Sequence, residues 1–139
     1  MIAEKLTQLF DGYTQAFLSY QLDDVYNFYH LPCCLSTPDK MLVIANVEQF
    51  KQEFLAIFRQ LKQAQTKRVD ILKASFESID ANTLLVCVDW QFVGNENQVF
   101  ADFSAFYHLL IKDAQYKIIS VSSHDLSQSK DLSHKLKLS

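Results

Sequence analysis

At 139 residues, 49% of them apolar and with 11 Phe and 6 Tyr, the chain is long enough for one packed core. Its 13 basic and 16 acidic residues give a net charge of −3, with no basic stripe of the kind that grips nucleic acid. No run reaches the ~18 apolar residues of a membrane span, the N-terminus lacks a signal-peptide pattern, and Cys33, Cys34 and Cys87 offer neither a disulfide framework nor zinc spacing. These features predict a reduced, cytoplasmic protein that uses no metal and no cofactor.

In chain order, Leu6, Leu9, Phe10, Tyr13, Phe17 and Tyr20 recur at steps of three and four, which predicts an amphipathic helix over 3–20. Gly12 interrupts it at about 1 kcal/mol relative to Ala and reads as a tolerated glycine rather than a point of close approach. Asp23 and Asp24 cap a second, short helix through Phe28 or Tyr29, and Pro32 forces the chain into an extended path. Segments 33–37 and 40–44 read as a hairpin turned by Pro38-Asp39. Asn46 followed by Gln49 is a capping-box variant, opening a helix with Val47, Phe50, Phe54, Ile57, Phe58 and Leu61 on one face. Four strands follow, 66–80, 83–93, 99–112 and 115–124, joined by turns at Asp80-Ala81-Asn82, at 94–97 and at Asp113-Ala114. Residues 128–139, rich in Ser and Lys, read as a mobile tail or a weak terminal helix. The order gives an α+β fold in which a curved antiparallel sheet wraps three helices, with one domain over 1–125 and a polar tail over 126–139.

Side chains alternate along a strand, so turn lengths decide what shares a face. A four-residue loop at 94–97 sets Val93 opposite Gln98, Asp89 opposite Asp102 and Trp90 opposite Ala101. One face then holds Leu84, Val86, Val88, Trp90 and Phe92 with Val99, Ala101, Phe103, Ala105 and Tyr107. A two-residue turn at Asp113-Ala114 extends it to Tyr116, Ile118, Ser120, Ser122 and His124. With Tyr13 and Phe17 from the first helix, the residues Trp90, Phe103, Tyr107, Ser120, Ser122 and His124 form a candidate pocket, apolar with a few polar groups. The alternative is plain core with a wet rim. The opposite face carries Leu85, Cys87, Phe100, Phe106, Ile119 and Val121, which predicts a homodimer through the sheet face. Asp89, Asp102 and Asp125 fall in a row on that face. They read as solvated edge residues, as a carboxylate group with one raised pKa, or as a hard-cation site.

The order of two helices, hairpin, third helix and long meander resembles the nuclear-transport-factor-2-like (SnoaL-like) cone. The segment Phe28-Tyr29-His30-Leu31-Pro32-Cys33-Cys34-Leu35-Ser36-Thr37-Pro38-Asp39 carries the resemblance locally: a helix ends, a proline opens the first strand, and a Thr-Pro-Asp turn follows. Lys40 stands where a glycine often follows that Asp. The resemblance spans residues 3–125. It implies a cystatin-like cone whose relatives include isomerases, dehydratases, cyclases, ligand binders and association modules, so the fold does not choose among them. On that footing the chain is expected to bind a small, largely apolar molecule. Were it to catalyse proton transfer, His124 would be the acid or base and Tyr107 or Tyr13 the donor to a developing oxyanion. The rival expectation is a non-catalytic homodimeric module whose cavity is filled by its own aromatics.

Overall fold

In the computed structural model, which describes residues 1–138, helices α1 (Ile2–Leu18) and α2 (Leu22–Asn27) precede a hairpin of β1 (Tyr29–Thr37) and β2 (Lys40–Ile44). Helix α3 (Val47–Gln63) leads into the meander β3 (Arg68–Asp80), β4 (Thr83–Val93), β5 (Val99–Lys112) and β6 (Gln115–His124), and a two-residue strand, β7 (His134–Lys135), follows. The strands form one sheet in the order β2-β1-β6-β5-β4-β3-β7. All neighbours are antiparallel except β1 and β6, so the expected antiparallel sheet is in fact mixed at that seam. No helix among the described residues is long and apolar enough to cross a membrane.

The two long helices form because their apolar residues fall on one stripe, and they lie in the sheet's concave side. Helix α1 buries Leu6, Leu9, Phe10, Tyr13 and Ala16. Helix α3 buries Phe50, Phe54, Phe58 and Leu61, with the Phe50 and Phe54 rings stacked at 4.1 Å. Burial of each such ring contributes up to about 3 kcal/mol. The start of α3 is a closed capping box: Asn46 accepts from the Gln49 N–H at 3.0 Å, and the Gln49 side chain accepts from the Ala45 N–H at 2.7 Å. Gly12 is not merely tolerated. A Cβ there would lie 3.1 Å from the Phe28 ring, so the missing side chain is what lets the end of α2 pack on α1. Helix α2 stops at Asn27, earlier than expected, and β1 begins at Tyr29.

Two irregularities set the sheet faces. The β4–β5 loop includes Gln98, whose C=O accepts from the Gly94 N–H at 2.8 Å. Val93 therefore pairs with Val99, and Phe100 is then skipped so that Phe92 pairs with Ala101. The two extra residues restore the expected parity but move every partner: Trp90 faces Phe103, and Asp89 faces Ser104 rather than Asp102. The β5–β6 turn is as expected, with Lys112 paired to Gln115 and positive φ at Asp113 and Ala114. Beyond it a bulge inserts one residue, because Leu109 pairs with Ile118 while His108 pairs with Ser120. A single insertion reverses parity.

The row of three aspartates does not form. Across the outer face the aligned residues are Asp89, Ser104 and His124. Buried Asp89 accepts from Ser104 Oγ at 2.8 Å and from Ser129 Oγ at 2.7 Å, Asp102 is exposed, and Asp125 caps the short turn Leu126–Gln128. Among the described residues no acidic, histidine or cysteine group has the makings of a metal site.

Beyond the short 3-10 turn Leu126–Gln128 the chain is neither a helix nor a free tail, up to Leu138; Ser139 lies outside the described residues. It crosses the outer face, where Ser129 meets Asp89, Asp131 meets Lys73 at 2.9 Å and the Leu132 N–H donates to Ser75 Oγ at 2.9 Å. It then zips onto the free edge of β3, pairing His134 with Phe76 and Lys135 with Ser75. Leu136 enters the core at 7% exposure, and its N–H donates to the Ala74 C=O. Leu136→Ala is therefore expected to lower unfolding free energy by about 2 kcal/mol or more, read from urea midpoints. A mobile tail would give no change.

Candidate functional site

The sheet curls away from the helices far enough to leave a cavity of about 320 Å³, within the range of small-ligand sites. Helix α1 contributes Tyr13, Thr14 and Phe17. From β1 and β2 come Tyr29, Leu35, Ser36, Thr37, Lys40 and Leu42, and α3 adds Glu53, Phe54, Ile57, Gln60 and Leu61. The floor is Val69, Trp90, Phe92, Phe103, Tyr107, Val121 and Ser123. The wall is mostly aromatic and aliphatic because these strand positions share the concave parity. The charged groups stand where β2 meets α3, with Lys40 Nζ 3.7 Å from Glu53 Oε1. That pair is largely exposed on its lysine side and adds little stability.

Polar groups inside the cavity are concentrated in one chain of hydroxyls. Trp90 Nε1 donates to Tyr107 Oη at 3.0 Å, the Tyr13 and Tyr29 hydroxyls are 2.6 Å apart, and the Tyr107 ring packs edge-on against Tyr13 at 6.1 Å. Burial, more than any other cause, pushes all three phenols well above their usual pKa of about 10, and their mutual proximity adds to it. All three are thus neutral donors at neutral pH. The proton count has a consequence. One indole N–H and three phenol O–H groups are four donors, and the links Trp90–Tyr107 and Tyr13–Tyr29 use two of them, so even a further contact between Tyr107 and Tyr13 leaves at least one O–H proton without an acceptor in the cluster. No other hydrogen bond among the described residues takes it. A guest that brings an acceptor would satisfy a donor the protein leaves over.

Of the expected pocket residues, Tyr13, Phe17, Trp90, Phe103 and Tyr107 surround this cavity. Ser120, Ser122 and His124 do not. The bulge at Ile119 carries them to the outer face, where Ser122 Oγ and His124 Nε2 are 2.5 Å apart and the His124 ring meets Phe106 edge-on. Val121, expected on the outer face, lines the cavity instead, as does Ser123. The bulge has a trace in the sequence: Ile118 and Ile119 are adjacent, and the apolar alternation resumes at Val121 in the other phase. Tyr29 was missed as a pocket residue because it reads as the end of a helix, whereas it opens β1. Cys33 is buried, and its thiol is pushed up to about 11, first by burial and then by Cys34, which makes a thiolate nucleophile there unfavourable.

Comparison with known proteins agrees with the fold. No curated protein matches the chain in sequence. Among solved structures, an NTF-2-like protein of unknown function from Shewanella oneidensis MR-1 superposes with a TM-score of 0.73 at 13% identity, over 90% of this chain and 100% of that one. An NTF2-like protein with a cystatin-like fold from Novosphingobium aromaticivorans gives 0.73 at 8% identity, over 91% and 82%. A putative ketosteroid isomerase from Shewanella frigidimarina gives 0.69 at 13% identity, over 84% and 91%. At such identities the likeness establishes the fold alone. The family model described as NTF2-like protein (DUF6841) matches residues 3–126, and by that match this chain belongs to the NTF2-like family.

Proposed function

We propose that this protein binds a small, largely apolar molecule bearing one hydrogen-bond acceptor, such as a ketone, with the acceptor directed at the Tyr13–Tyr29–Tyr107 cluster. The observation that carries this reading is the surplus hydroxyl proton in a cavity whose walls are otherwise mostly apolar. The guest space of about 320 Å³ supports this reading over a cavity filled by its own aromatics, as a pure association module would have. The protein's part is to desolvate the guest and to hold its acceptor against neutral phenols, which polarise a carbonyl without transferring charge.

Proton transfer needs a base as well, and the imidazole of His124 lies on the wrong side of the sheet. Among the cavity residues the carboxylate available for that task is Glu53, which stands beside Lys40. Binding is therefore the activity proposed, and the putative isomerase among the structural neighbours does not by itself extend its chemistry to this chain.

The first test is a thermal-shift screen of fused-ring and aryl ketones beside their hydrocarbon counterparts. A ketone at a hundred times its Kd should add about 2.7 kcal/mol of stability. Tyr29→Phe should weaken the ketone about fivefold and leave the hydrocarbon unaffected, Ile57→Trp should abolish both by filling the space, and His124→Ala should change neither. Absence of any shift across the series, with no small molecule co-purified from the host, would count against a ligand.

Alkaline pH offers a second test, of the phenols alone. An unfolded tyrosine ionises near pH 10, whereas these three resist ionisation in the folded chain. Above about pH 10 the unfolded state thus binds fewer protons, so their stabilising contribution is whole below that pH and falls as pH rises. Urea midpoints between about pH 9 and 11.5 should decline for the native chain, and less steeply for Tyr13→Phe.

A further inference from the structure

The two edges of the sheet are treated differently. The edge of β3 is closed by the chain's own β7, whereas β2 at the other end pairs only with β1. Its outward-facing side chains are apolar and bare, with Met41 74% and Val43 60% exposed. Natural sheets usually guard such an edge with charge, proline or a bulge, and β2 has only Lys40 at its first position.

The main-chain groups of β2 divide cleanly. Thr37 pairs with Lys40 across the two-residue turn, so Lys40, Leu42 and Ile44 direct their N–H and C=O groups at β1. Met41 and Val43 direct theirs away from the sheet. Ala45, next along the edge, has its N–H occupied by Gln49 Oε1, which ends the free stretch. The open valences are those of Met41 and Val43, two residues apart and symmetric about Leu42.

We propose that β2 pairs antiparallel with β2 of a second copy of this chain across a two-fold axis at Leu42, joining the two sheets edge to edge. In that register Met41 exchanges both main-chain hydrogen bonds with the partner's Val43, and Val43 does so with the partner's Met41. The same pairing stacks these two exposed side chains on each other. Lys40 falls opposite the partner's Ile44, so no like charges meet. A two-fold contact of this kind is closed and adds only one copy. The outer sheet face, the other place where copies could meet, is partly occupied by the segment through Ser129 and Asp131. A five-residue edge buries less than a standard interface of about 1,600 Å², so the dimer is expected to dissociate on dilution. The proposal does not depend on what fills the cavity.

Sedimentation velocity of the wild-type chain from about 1 mM down to about 1 µM, with amide hydrogen exchange at both ends of the series, tests it. The expected result is a dimer at high concentration, in which the Met41 and Val43 amides exchange at least about tenfold more slowly than in the monomer. Val43→Pro, which deletes an outward N–H and leaves β1 pairing intact, and the double variant Met41→Lys with Val43→Lys should both be monomeric with unchanged Tm. A monomer throughout, a dimer whose Met41 and Val43 amides exchange at the monomer rate, or a dimer that survives the double lysine variant would each overturn the proposal. The exchange data on the wild-type chain decide the matter even where a variant folds poorly.

Discussion

Alternation of side chains along extended backbone is the constraint on which everything else here rests. One face of the sheet is covered by α1 and α3 and must be apolar, while the other meets solvent and the returning tail. Each residue added to one strand of a pair reassigns all that follow it. Two additions around the β4–β5 loop cancel, which keeps Trp90, Phe103 and Tyr107 under the helices. One addition in β6 does not cancel. It exchanges an imidazole and two serine hydroxyls for Val121 and Ser123 at the floor of the cavity. The chemical character of the site is thus set by a single residue of register.

That exchange bears on what the cavity can do. With His124 inside, the floor would hold a group able to move a proton at neutral pH. With Val121 in its place, the fully buried polar groups of the cavity are an indole and three phenols, which donate hydrogen bonds but stay un-ionised, while Lys40 and Glu53 stand where β2 meets α3. Under the proposed function, such donors in a mostly apolar enclosure would select a guest by shape and by one acceptor, and would suit holding better than turnover. The aromatic packing around it, with Tyr13 set edge-on against Phe10, Phe28 and Tyr107, fixes the hydroxyls in place.

The sequence was most legible where local rules act alone. The helical stripes, the Asn46–Gln49 box, the bounds of β4, β5 and β6 and the turn at Asp113-Ala114 all follow from periodicity and turn chemistry. Five of the eight expected pocket residues line the cavity because parity survives a shift of two. What was not legible depends on partners distant in sequence. Nothing local to Phe100 announces that the ladder will skip it, and the one trace at Ile119 is the change of apolar phase between Ile118 and Val121, with no glycine at either spot. Tyr29 belongs to a strand only because β6 is there to receive it. The tail looked free because its leucines are sparse, yet Leu136 needs only one opening between β3 and α1 to become core.

The bond from Ser129 to Asp89 gives the outer face a temporal order. As the polypeptide emerges during synthesis, β3 and β4 are complete well before the residues that satisfy Asp89 and cover the β3 edge exist. In that interval the nascent sheet carries a buried-to-be carboxylate still in water and an open row of main-chain donors, so its collapse is incomplete and its edge is available to other chains. Docking of the last strand therefore removes the β3 edge from that hazard.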